Sequence, residues 1–315
     1  MMRSEEVLTG SVIVVGSVTM DLTVYSVNDP ALGETVLGES FLQVPGGKGG
    51  NQAISASMAG GDVYLVSCVG SDAFSIEVKA ALAGHGVNTD FVSSVQGQTG
   101  VAHIRVDHSG QNSIVVVPLA NSELTTAHID EAFKRIDAPR ILLTQLEVRL
   151  EVAEYAIRKA SAAGLKIILD PAPARRMDET IWPLIDIVTP NESEAFTITG
   201  VEVVDIQSAL RAGRWFNERG VEFAIITMAE NGALVVWEDG HRIFAPMPVE
   251  AVDTTAAGDA FSGYLGAQLA LGAELEQAVE HAVVAGAIAV TRRGASSSLP
   301  RKEDVREALR RLSNK

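Results

Sequence analysis

Short apolar runs alternate with longer helix-type patterns through the middle of the chain, from about residue 138 to residue 227. The runs that we predict to be buried strands are residues 140–144, 166–170, 185–189 and 223–227. Between them, apolar residues at helical spacing predict helices at 152–163 and 205–219, the second ended by Gly220 as a C-terminal cap. This alternation predicts right-handed crossover units and a parallel sheet.

The same plan extends toward both ends of the chain. An apolar run at 12–15 predicts a further strand, and a helix is expected near 50–59. The alanine-rich stretches 257–271 and 274–291 predict two closely packed helices, and 302–311 predicts a charged surface helix. These elements together predict an α/β fold with a doubly wound, mostly parallel sheet flanked by helices.

Two segments, residues 22–43 and 97–118, depart from this alternation. In the second, residues 101–106 alternate, 107–112 have turn composition, and 113–117 resume a strand pattern. We expect both segments to form a small antiparallel β lid that covers a ligand or pairs with another subunit. The alternative is that they are edge hairpins of one sheet. The sequence has no linker or internal repeat, so residues 1–315 are expected to be one domain that carries this lid.

The charge balance limits the possible partners. The chain has 25 Lys and Arg against 40 Asp and Glu, a formal charge of -15. This argues against a nucleic-acid partner, because phosphate backbones are bound by clustered basic side chains. An anionic nucleotide would have to be held by backbone N–H groups instead. Cys68 is the only cysteine, which excludes an intramolecular disulfide and fits a reducing compartment.

The N-terminal residues do not resemble an export signal. Positions 5 and 6 are acidic where such a signal would be basic, and the apolar run that follows stops at Gly16. No stretch of the sequence approaches the roughly 20 apolar residues of a membrane span. We therefore expect no membrane partner and a cytoplasmic location.

The segment 252–261, Val-Asp-Thr-Thr-Ala-Ala-Gly-Asp-Ala-Phe, is the strongest local candidate for chemistry. Small residues that lead into a helix expose N–H groups at its positive end, so the amides of Ala256, Ala257 and Gly258 form a candidate anion hole for phosphate. Asp259 then has the position of a catalytic base that takes a proton from an attacking hydroxyl. The alternative is an aspartate that caps the helix.

Residues 45–53, Pro-Gly-Gly-Lys-Gly-Gly-Asn-Gln-Ala, form a second candidate. The glycines let the backbone approach a ligand, and Lys48 and Asn51 supply polar groups. Gly49 follows Lys48 where a Walker A loop needs Ser or Thr, so P-loop chemistry is not supported. A nicotinamide oxidoreductase lacks support because no G-x-G-x-x-G fingerprint occurs in a βαβ setting. The alternative is a flexible glycine-rich loop.

These two segments, with Gly16-Ser17-Val18-Thr19-Met20-Asp21, resemble the signatures of the ribokinase (PfkB) family of carbohydrate kinases. The resemblance runs from Gly16 to the tail at 290–295. It implies a kinase that uses ATP and Mg²⁺ to phosphorylate the primary hydroxyl of a pentose, with D-ribose as the first candidate. The alternatives are kinases of deoxyribose, a nucleoside, a ketohexose or a keto-deoxy sugar acid, and, more remotely, a non-catalytic sugar-sensing protein.

The resemblance also implies a sugar site. Its members would be Asp21, expected at the end of the first strand, with Gly47, Lys48, Asn51 and Glu147, and with Asp259 as the base. Thr19 stands two residues before Asp21, where the family usually has Asn. A threonine offers one short hydroxyl in place of a longer amide arm, and this weakens the inference of ribose.

Nucleotide and cation sites are implied in the same way. Asn191 and Glu194 match the family's N-x-x-E motif, which implies that they hold Mg²⁺ through water; without the family they would be helix-capping residues. The implied ATP-binding residues are Asn191, Thr227, Ala229, Gly232 and Gly258, with Ala229 in place of a usual glycine. A site for K⁺ activation is implied at Asp253, Thr255, Ala289, Arg292, Gly294 and Ser298. A homodimer through the β lid is implied as well.

Overall fold

A computed structural model of the chain describes residues 10–108 and 112–313. The strands are β1 (Ser11–Val15), β2 (Thr19–Ser26), β3 (Gly38–Gly46), β4 (Asp62–Val69), β5 (Val92–Ser94), β6 (Gly100–Val106), β7 (Asn112–Val117), β8 (Pro139–Thr144), β9 (Lys166–Leu169), β10 (Ile187–Val188), β11 (Phe223–Thr227), β12 (Ala233–Trp237) and β13 (Gly240–Phe244). The α-helices are α1 (Lys48–Met58), α2 (Ala73–Gly84), α3 (Thr126–Arg135), α4 (Leu150–Ala162), α5 (Glu192–Thr199), α6 (Ile206–Asn217), α7 (Ala257–Ala270), α8 (Leu275–Ala289) and α9 (Lys302–Ser313).

The main sheet has the strand order β13-β12-β11-β10-β9-β8-β1-β4-β5. The pairings from β11 to β5 are parallel, and β12 and β13 add an antiparallel edge. Every residue of β1 is buried, because helices cover both faces of the sheet. The predicted mostly parallel sheet is therefore confirmed.

Successive residues of β1 point into two separate hydrophobic cores. Val12 and Val14 pack in one core with residues of α1, α7 and α8. Ile13 and Val15 pack in the other core with residues of α3, α4 and α6. This alternation follows from the two-residue period of a strand, and it confirms the doubly wound arrangement.

A second sheet, which we call the lid sheet, has the order β3-β2-β6-β7. Its two hairpins, β2/β3 and β6/β7, are antiparallel, and a parallel pairing of β2 with β6 joins them. The small separate sheet is thus confirmed, and the alternative of edge hairpins on one sheet is wrong. The sheet begins at Thr19 rather than at residue 22. Of the predicted turn at 107–112, residues 109–111 lie outside the described residues.

Element boundaries differ from the prediction in a few places. The strand expected at 185–189 is reduced to β10, because a 3₁₀ turn over Trp182–Leu184 precedes it. Helix α6 begins after Asp205 as its N-cap, and its C-cap is Glu218; Gly220, predicted as the cap, lies two residues beyond it at φ 91°. Helices α2 and α3 were not predicted, and α5 begins at the predicted capping residues. In the described part of the chain, none of the helices combines the length and the apolar character that crossing a bilayer requires.

Candidate active site

Helices α1 and α7 approach each other closely, and this contact places Asp259. A Cβ at Gly263 on α7 would lie only 2.5 Å from the Cβ of Ser55 on α1, so the glycine permits the approach. Ser55 Oγ also donates a hydrogen bond to the carbonyl of Ala260 over 3.0 Å. Asp259, on the first turn of α7 and 4% exposed, is thereby held against the first turns of α1.

Both oxygens of the Asp259 carboxylate accept hydrogen bonds from α1. Asn51 Nδ2 donates to Oδ2, and Gln52 Nε2 donates to Oδ1, each over 3.0 Å. The ammonium of Lys48 lies 3.7 Å from Oδ1. Among the described residues, no side chain caps α7, so the alternative in which Asp259 caps this helix is wrong.

The backbone that leads into α7 forms the candidate anion hole. Ala256, its N-cap, has φ 60° in the left-handed region, which costs an alanine about 1–2 kcal/mol. The space beside Gly258 is open, since a Cβ there would meet no atom within 4 Å. Amides of a first helical turn have no acceptor inside the helix. The N–H of Ala257 donates to the carbonyl of Thr254 over 3.3 Å, so the remaining N–H groups of this turn, such as that of Gly258, can serve an anionic ligand.

The glycine-rich segment is the start of α1, and the flexible-loop alternative is wrong. Gly47, at φ 85°, is the N-cap of the helix. A Cβ at Gly49 would lie 2.6 Å from the carbonyl carbon of Gly16, so the glycine lets α1 begin directly against the end of β1. The N–H of Lys48 donates to Oε2 of Glu147 over 3.0 Å. Glu147 is thus joined to the start of α1.

A cavity of about 210 Å³, which we call the small cavity, lies at the N-terminus of α7. The predicted site residues that line it are Lys48, Asn191, Glu194, Thr227, Ala256, Ala257, Gly258 and Asp259. The structure therefore brings together residues from four separate parts of the sequence. A helix N-terminus, one ammonium and several carboxylates suit a phosphate with its counter-ion.

A cavity of about 430 Å³, which we call the large cavity, lies beneath the lid sheet. The predicted site residues that line it are Asp21, Asp253, Thr255 and Gly294. Thr254 lines both cavities, so the two spaces adjoin. Among the described residues, Thr19, Gly47, Asn51 and Glu147 line neither cavity. The arrangement can hold two ligands side by side.

Asp21 belongs to the lid sheet, although we expected it at the end of the first strand. Thr19 Oγ1 donates to Oδ1 of Asp21 over 2.6 Å. Burial raises the pKa of Asp21 to about 6; the Thr19 hydrogen bond opposes this rise, and the charges of Glu147 and Asp259 add to it. Asp21 is therefore a hydrogen-bond acceptor whose pKa lies close to neutral pH.

Asn191 and Glu194 form a reciprocal capping box at the start of α5. Asn191 Oδ1 accepts from the N–H of Glu194, and Glu194 Oε2 accepts from the N–H of Asn191, each over 2.9 Å. The capping alternative therefore describes their mutual contacts correctly. Both residues also line the small cavity. Asn191 Oδ1 also accepts from Ser193 Oγ over 2.8 Å, so, among the contacts of the described residues, the oxygen lone pairs that remain free are those of the Glu194 carboxylate.

The predicted ATP-binding residues of the segment 227–232 separate in space. Thr227 lines the small cavity, and its N–H donates to the carbonyl of Pro190 over 3.0 Å. Ala229 and Gly232 line neither cavity in the described structure; they shape the turn between β11 and β12. Ala229 has φ 42°, a conformation that suits the usual glycine better. A Cβ at Gly232 would lie 2.1 Å from the carbonyl oxygen of Phe244.

The Asp253 carboxylate joins two of the other residues predicted around a monovalent cation. Its Oδ1 accepts from the N–H of Thr255 and its Oδ2 from the N–H of Gly294, each over 2.9 Å. The guanidinium of Arg292 pairs instead with Asp304 over 2.9 Å. Ala289 and Ser298 are fully buried. Asp253 thus holds together the two loops from which backbone carbonyls would have to come.

Two residues of the site were missed at the level of sequence. Gln52 donates to Asp259 and, over 2.7 Å, to Oδ2 of Asp170. Asp170 lines the small cavity, 3.5 Å from Nζ of Lys48. Burial raises the pKa of Asp170 to about 7, against the opposing charge of Lys48. Its place directly after β9, at the carboxyl end of a parallel strand, was the signal that could have identified it.

The charge of Lys48 is kept by its surroundings. Desolvation alone would lower its pKa, but the neighbouring carboxylates of Asp170, Asp259, Glu147 and Glu194 raise it. Lys48 is consequently a cation throughout the neutral range. Its ammonium is a fixed positive charge beside the Asp170 and Asp259 carboxylates of the small cavity.

Comparison with known proteins relates this site to a family. A family model for pfkB family carbohydrate kinases matches residues 9–302. The ribokinase of Haemophilus influenzae is 39% identical over 297 residues, which cover 94% of this chain and 97% of that protein. The deoxyribokinase of Salmonella typhi is 35% identical over 298 residues, with coverage of 94% and 97%.

Solved structures agree with this relationship. The crystal structure of ribokinase from Thermotoga maritima is similar at a TM-score of 0.87 and 33% identity, covering 95% of this chain and 99% of that chain. The structure of Arabidopsis thaliana ribokinase complexed with ribose and ATP gives a TM-score of 0.87 at 27% identity, with coverage of 96% and 99%. The chain therefore belongs to the pfkB family of carbohydrate kinases.

Proposed function

We propose that this protein transfers the γ-phosphoryl group of ATP to the primary hydroxyl of a pentose, with D-ribose as the first candidate. The observation that carries the proposal is the position of Asp259, a buried carboxylate on the first turn of α7 and on the wall of the small cavity. The relatives named ribokinase, and the Arabidopsis protein complexed with ribose and ATP, support the same substrate pair.

The phosphate groups of ATP would lie in the small cavity. The first-turn amides of α7 and the open space beside Gly258 can accept an anion. These amides would stabilise the charge that develops on the transferred group. Lys48 adds one fixed cation. Backbone N–H donors thus allow an anionic nucleotide to bind to a chain with a formal charge of -15.

Magnesium fits the same cavity. Glu194 presents a carboxylate with free lone pairs, the ligand type that Mg²⁺ prefers, and its capping box with Asn191 fixes it in place. When bound with ATP, the ion would neutralise phosphate charge. In this proposal the two residues hold the ion through water.

The sugar would lie in the large cavity with its primary hydroxyl toward Asp259. Asp21, on the wall of that cavity, would accept hydrogen bonds from hydroxyls at the opposite end. The Asp259 carboxylate takes the hydroxyl proton as that oxygen forms its bond to the γ-phosphorus and ADP leaves. The lid sheet above the cavity limits access of water and so limits ATP hydrolysis.

A monovalent cation and a second subunit are further parts of the proposal. The loops joined by Asp253 are the proposed K⁺ site. In the lid, β7 is an edge strand on which Ile114 and Val115 are 49% and 62% exposed. An exposed apolar edge strand favours pairing with another chain, so we assign a homodimer interface to the lid sheet.

Deoxyribose is the second candidate substrate, and the Thr19–Asp21 hydrogen bond favours it. That bond uses one lone pair of Asp21 Oδ1, which leaves fewer free acceptor positions for vicinal sugar hydroxyls. The test is an ADP-release screen over ribose, deoxyribose, other pentoses, fructose, adenosine and keto-deoxygluconate, each with and without K⁺. Turnover with ribose or deoxyribose well above the others supports the proposal, and a preference for any other acceptor rejects it.

A further inference from the structure

Two buried glutamines form a directed chain of hydrogen bonds behind Asp259. Gln145 Nε2 donates to Oε1 of Gln52 over 2.5 Å. Gln52 Nε2 donates in turn to Oδ2 of Asp170 over 2.7 Å and to Oδ1 of Asp259 over 3.0 Å. Both glutamines are 0% exposed. One amide nitrogen therefore connects the carboxyl end of β9 with the N-terminus of α7.

The orientation of the Gln52 amide is determined by its neighbours. Its oxygen already accepts from Gln145, and a rotated amide would turn that oxygen toward two carboxylates. Gln145 keeps this arrangement although its own Oε1 is buried with no hydrogen-bond partner among the described residues. An unpaired buried carbonyl is unfavourable, so the contact with Gln52 is retained against a local cost.

Lys48 approaches the same two oxygens as Gln52. Its Nζ lies 3.5 Å from Oδ2 of Asp170 and 3.7 Å from Oδ1 of Asp259. Oδ1 of Asp259 thus faces two donors, whereas Oδ2 accepts only from Asn51 Nδ2 among the contacts of the described residues. A carboxylate oxygen has two lone pairs, so Oδ2 keeps one for a further donor.

From this geometry we propose that Gln52 is a positioning residue that presents Oδ2 of Asp259 to the sugar hydroxyl. Gln52 holds Asp170 on the same amide, so the Lys48 ammonium is shared between two carboxylates instead of pairing with Asp259 alone. The inference rests on the proposed function, in which Asp259 takes the hydroxyl proton. In that step the proton moves to Oδ2, the sugar oxygen bonds to the γ-phosphorus, and ADP leaves with the electrons of the broken bond.

The test compares Gln52→Met, Asp170→Asn and the double variant by steady-state kinetics with ribose and ATP. Gln52→Met keeps side-chain length but removes both donors, and we expect kcat to fall on the order of 10²-fold because the base is misplaced. KM for both substrates should stay within about threefold, since ground-state contacts are untouched. The double variant should lose much less than the product of the single losses, because the two residues act as one unit.

Ser57→Ala is the matched control on the same helix. Ser57 Oγ donates to the carbonyl of His85 over 2.8 Å, and among the hydrogen bonds of the described residues it has none to α7 or to a carboxylate of the site. It should lower the melting temperature and leave kcat unchanged. The proposal is overturned if Gln52→Met lowers kcat no more than Ser57→Ala, or if it raises KM at constant kcat. If Gln52→Met does not fold, a normal kcat in Asp170→Asn overturns it.

Asp259→Asn, measured beside these variants, distinguishes a failure of the positioning role of Gln52 from a failure of the proposed function. If Asp259→Asn is inactive while Gln52→Met and Asp170→Asn turn over normally, the positioning role is wrong and the proposed function stands. If Asp259→Asn retains turnover, the assignment of the base is wrong, and the positioning role is rejected with it.

Discussion

The Thr19 hydroxyl donates a hydrogen bond to Oδ1 of Asp21 over 2.6 Å, and of the two residues Asp21 alone lines the large cavity. Thr19 is 2% exposed. The pairing leaves Oδ2 of Asp21 as the oxygen without this internal donor. The end of the sugar farthest from Asp259 therefore meets the Asp21 carboxylate, without the second polar side chain that an asparagine at position 19 would supply.

The Thr19–Asp21 pair predicts weak discrimination between ribose and deoxyribose. We expect the wild-type ratio of kcat/KM for the two sugars to be less than about tenfold, because few contacts distinguish one added hydroxyl. Thr19→Asn adds a longer arm with a donor and an acceptor, so the ratio should rise in favour of ribose. The ratio is obtained from initial rates of ADP release with each sugar.

Thr19→Ser is the control for this comparison, because it keeps the hydroxyl that donates to Asp21. Its ratio should match that of the wild type. An unchanged ratio in Thr19→Asn, or a wild-type preference for ribose of about 10⁴-fold, the size expected when a site is built to bind the missing hydroxyl, would show that Thr19 does not limit discrimination.

Asp21 predicts a pH dependence of sugar binding. Its pKa, raised to about 6 mainly by burial, means that the carboxylate is protonated below that pH and loses acceptor strength. KM for the sugar should therefore rise as pH falls through about 6, and Asp21→Asn should weaken binding at neutral pH and remove the dependence. The measurement is KM for ribose from pH 5 to pH 8 at saturating ATP.

The same carboxyl group gives the sign of a stability effect in the absence of ligands. Because the pKa of Asp21 is higher in the folded protein than its ordinary value, its favourable contribution is present below about pH 4 and is lost as pH rises through about 6. Relative to wild type, Asp21→Asn should be more stable at pH 8 than at pH 4, by on the order of 1–3 kcal/mol. An equal effect at both pH values would contradict this.

The loops joined by Asp253 predict activation by K⁺. Adding K⁺ to a Tris-buffered assay should raise kcat, and Asp253→Asn should lower this activation, because the weaker acceptor would hold the N–H groups of Thr255 and Gly294 less firmly. The rates are compared in K⁺, in Na⁺ and in Tris alone. Equal activity in all three would remove the cation site from the account.

The exposed edge of the lid sheet predicts a dimer. Ile114→Asp places a charge on β7 and should shift the protein toward monomer in sedimentation-velocity experiments. Val204→Asp is the matched control, since Val204 is 76% exposed and lies outside the lid sheet. A wild-type protein that is monomeric at micromolar concentration, or a dimer that tolerates Ile114→Asp, would contradict the lid interface.

Local sequence patterns predicted the main sheet and much of the site. Fully buried strands such as β1 are continuous apolar runs, and helix starts such as that of α7 carry small residues before an acidic one. Both features are local in the sequence, so they can be recognised without knowing which other segments pack against them. Asp259, Lys48 and Asn51 were identified from such segments.

The features that were missed depend on contacts between distant segments. The parallel pairing of β2 with β6 connects strands far apart in the sequence, and no local pattern specifies it. Gln52 and Asp170 become a unit only when the start of α1 meets both the carboxyl end of β9 and the N-terminus of α7. Thr19 and Asp21 lie in the lid sheet instead of on the first strand, because β2 pairs with the distant β6.

Asp259→Asn preserves the size of the side chain and removes its charge, so it tests whether Asp259 is the catalytic base. The measurement is the rate of ribose-dependent ADP release at saturating ATP, Mg²⁺ and K⁺, with ribose affinity followed by calorimetry. We predict that kcat falls by about 10²- to 10⁴-fold, the range associated with loss of a general base, while ribose binding is retained. Turnover close to that of the wild type would contradict the account.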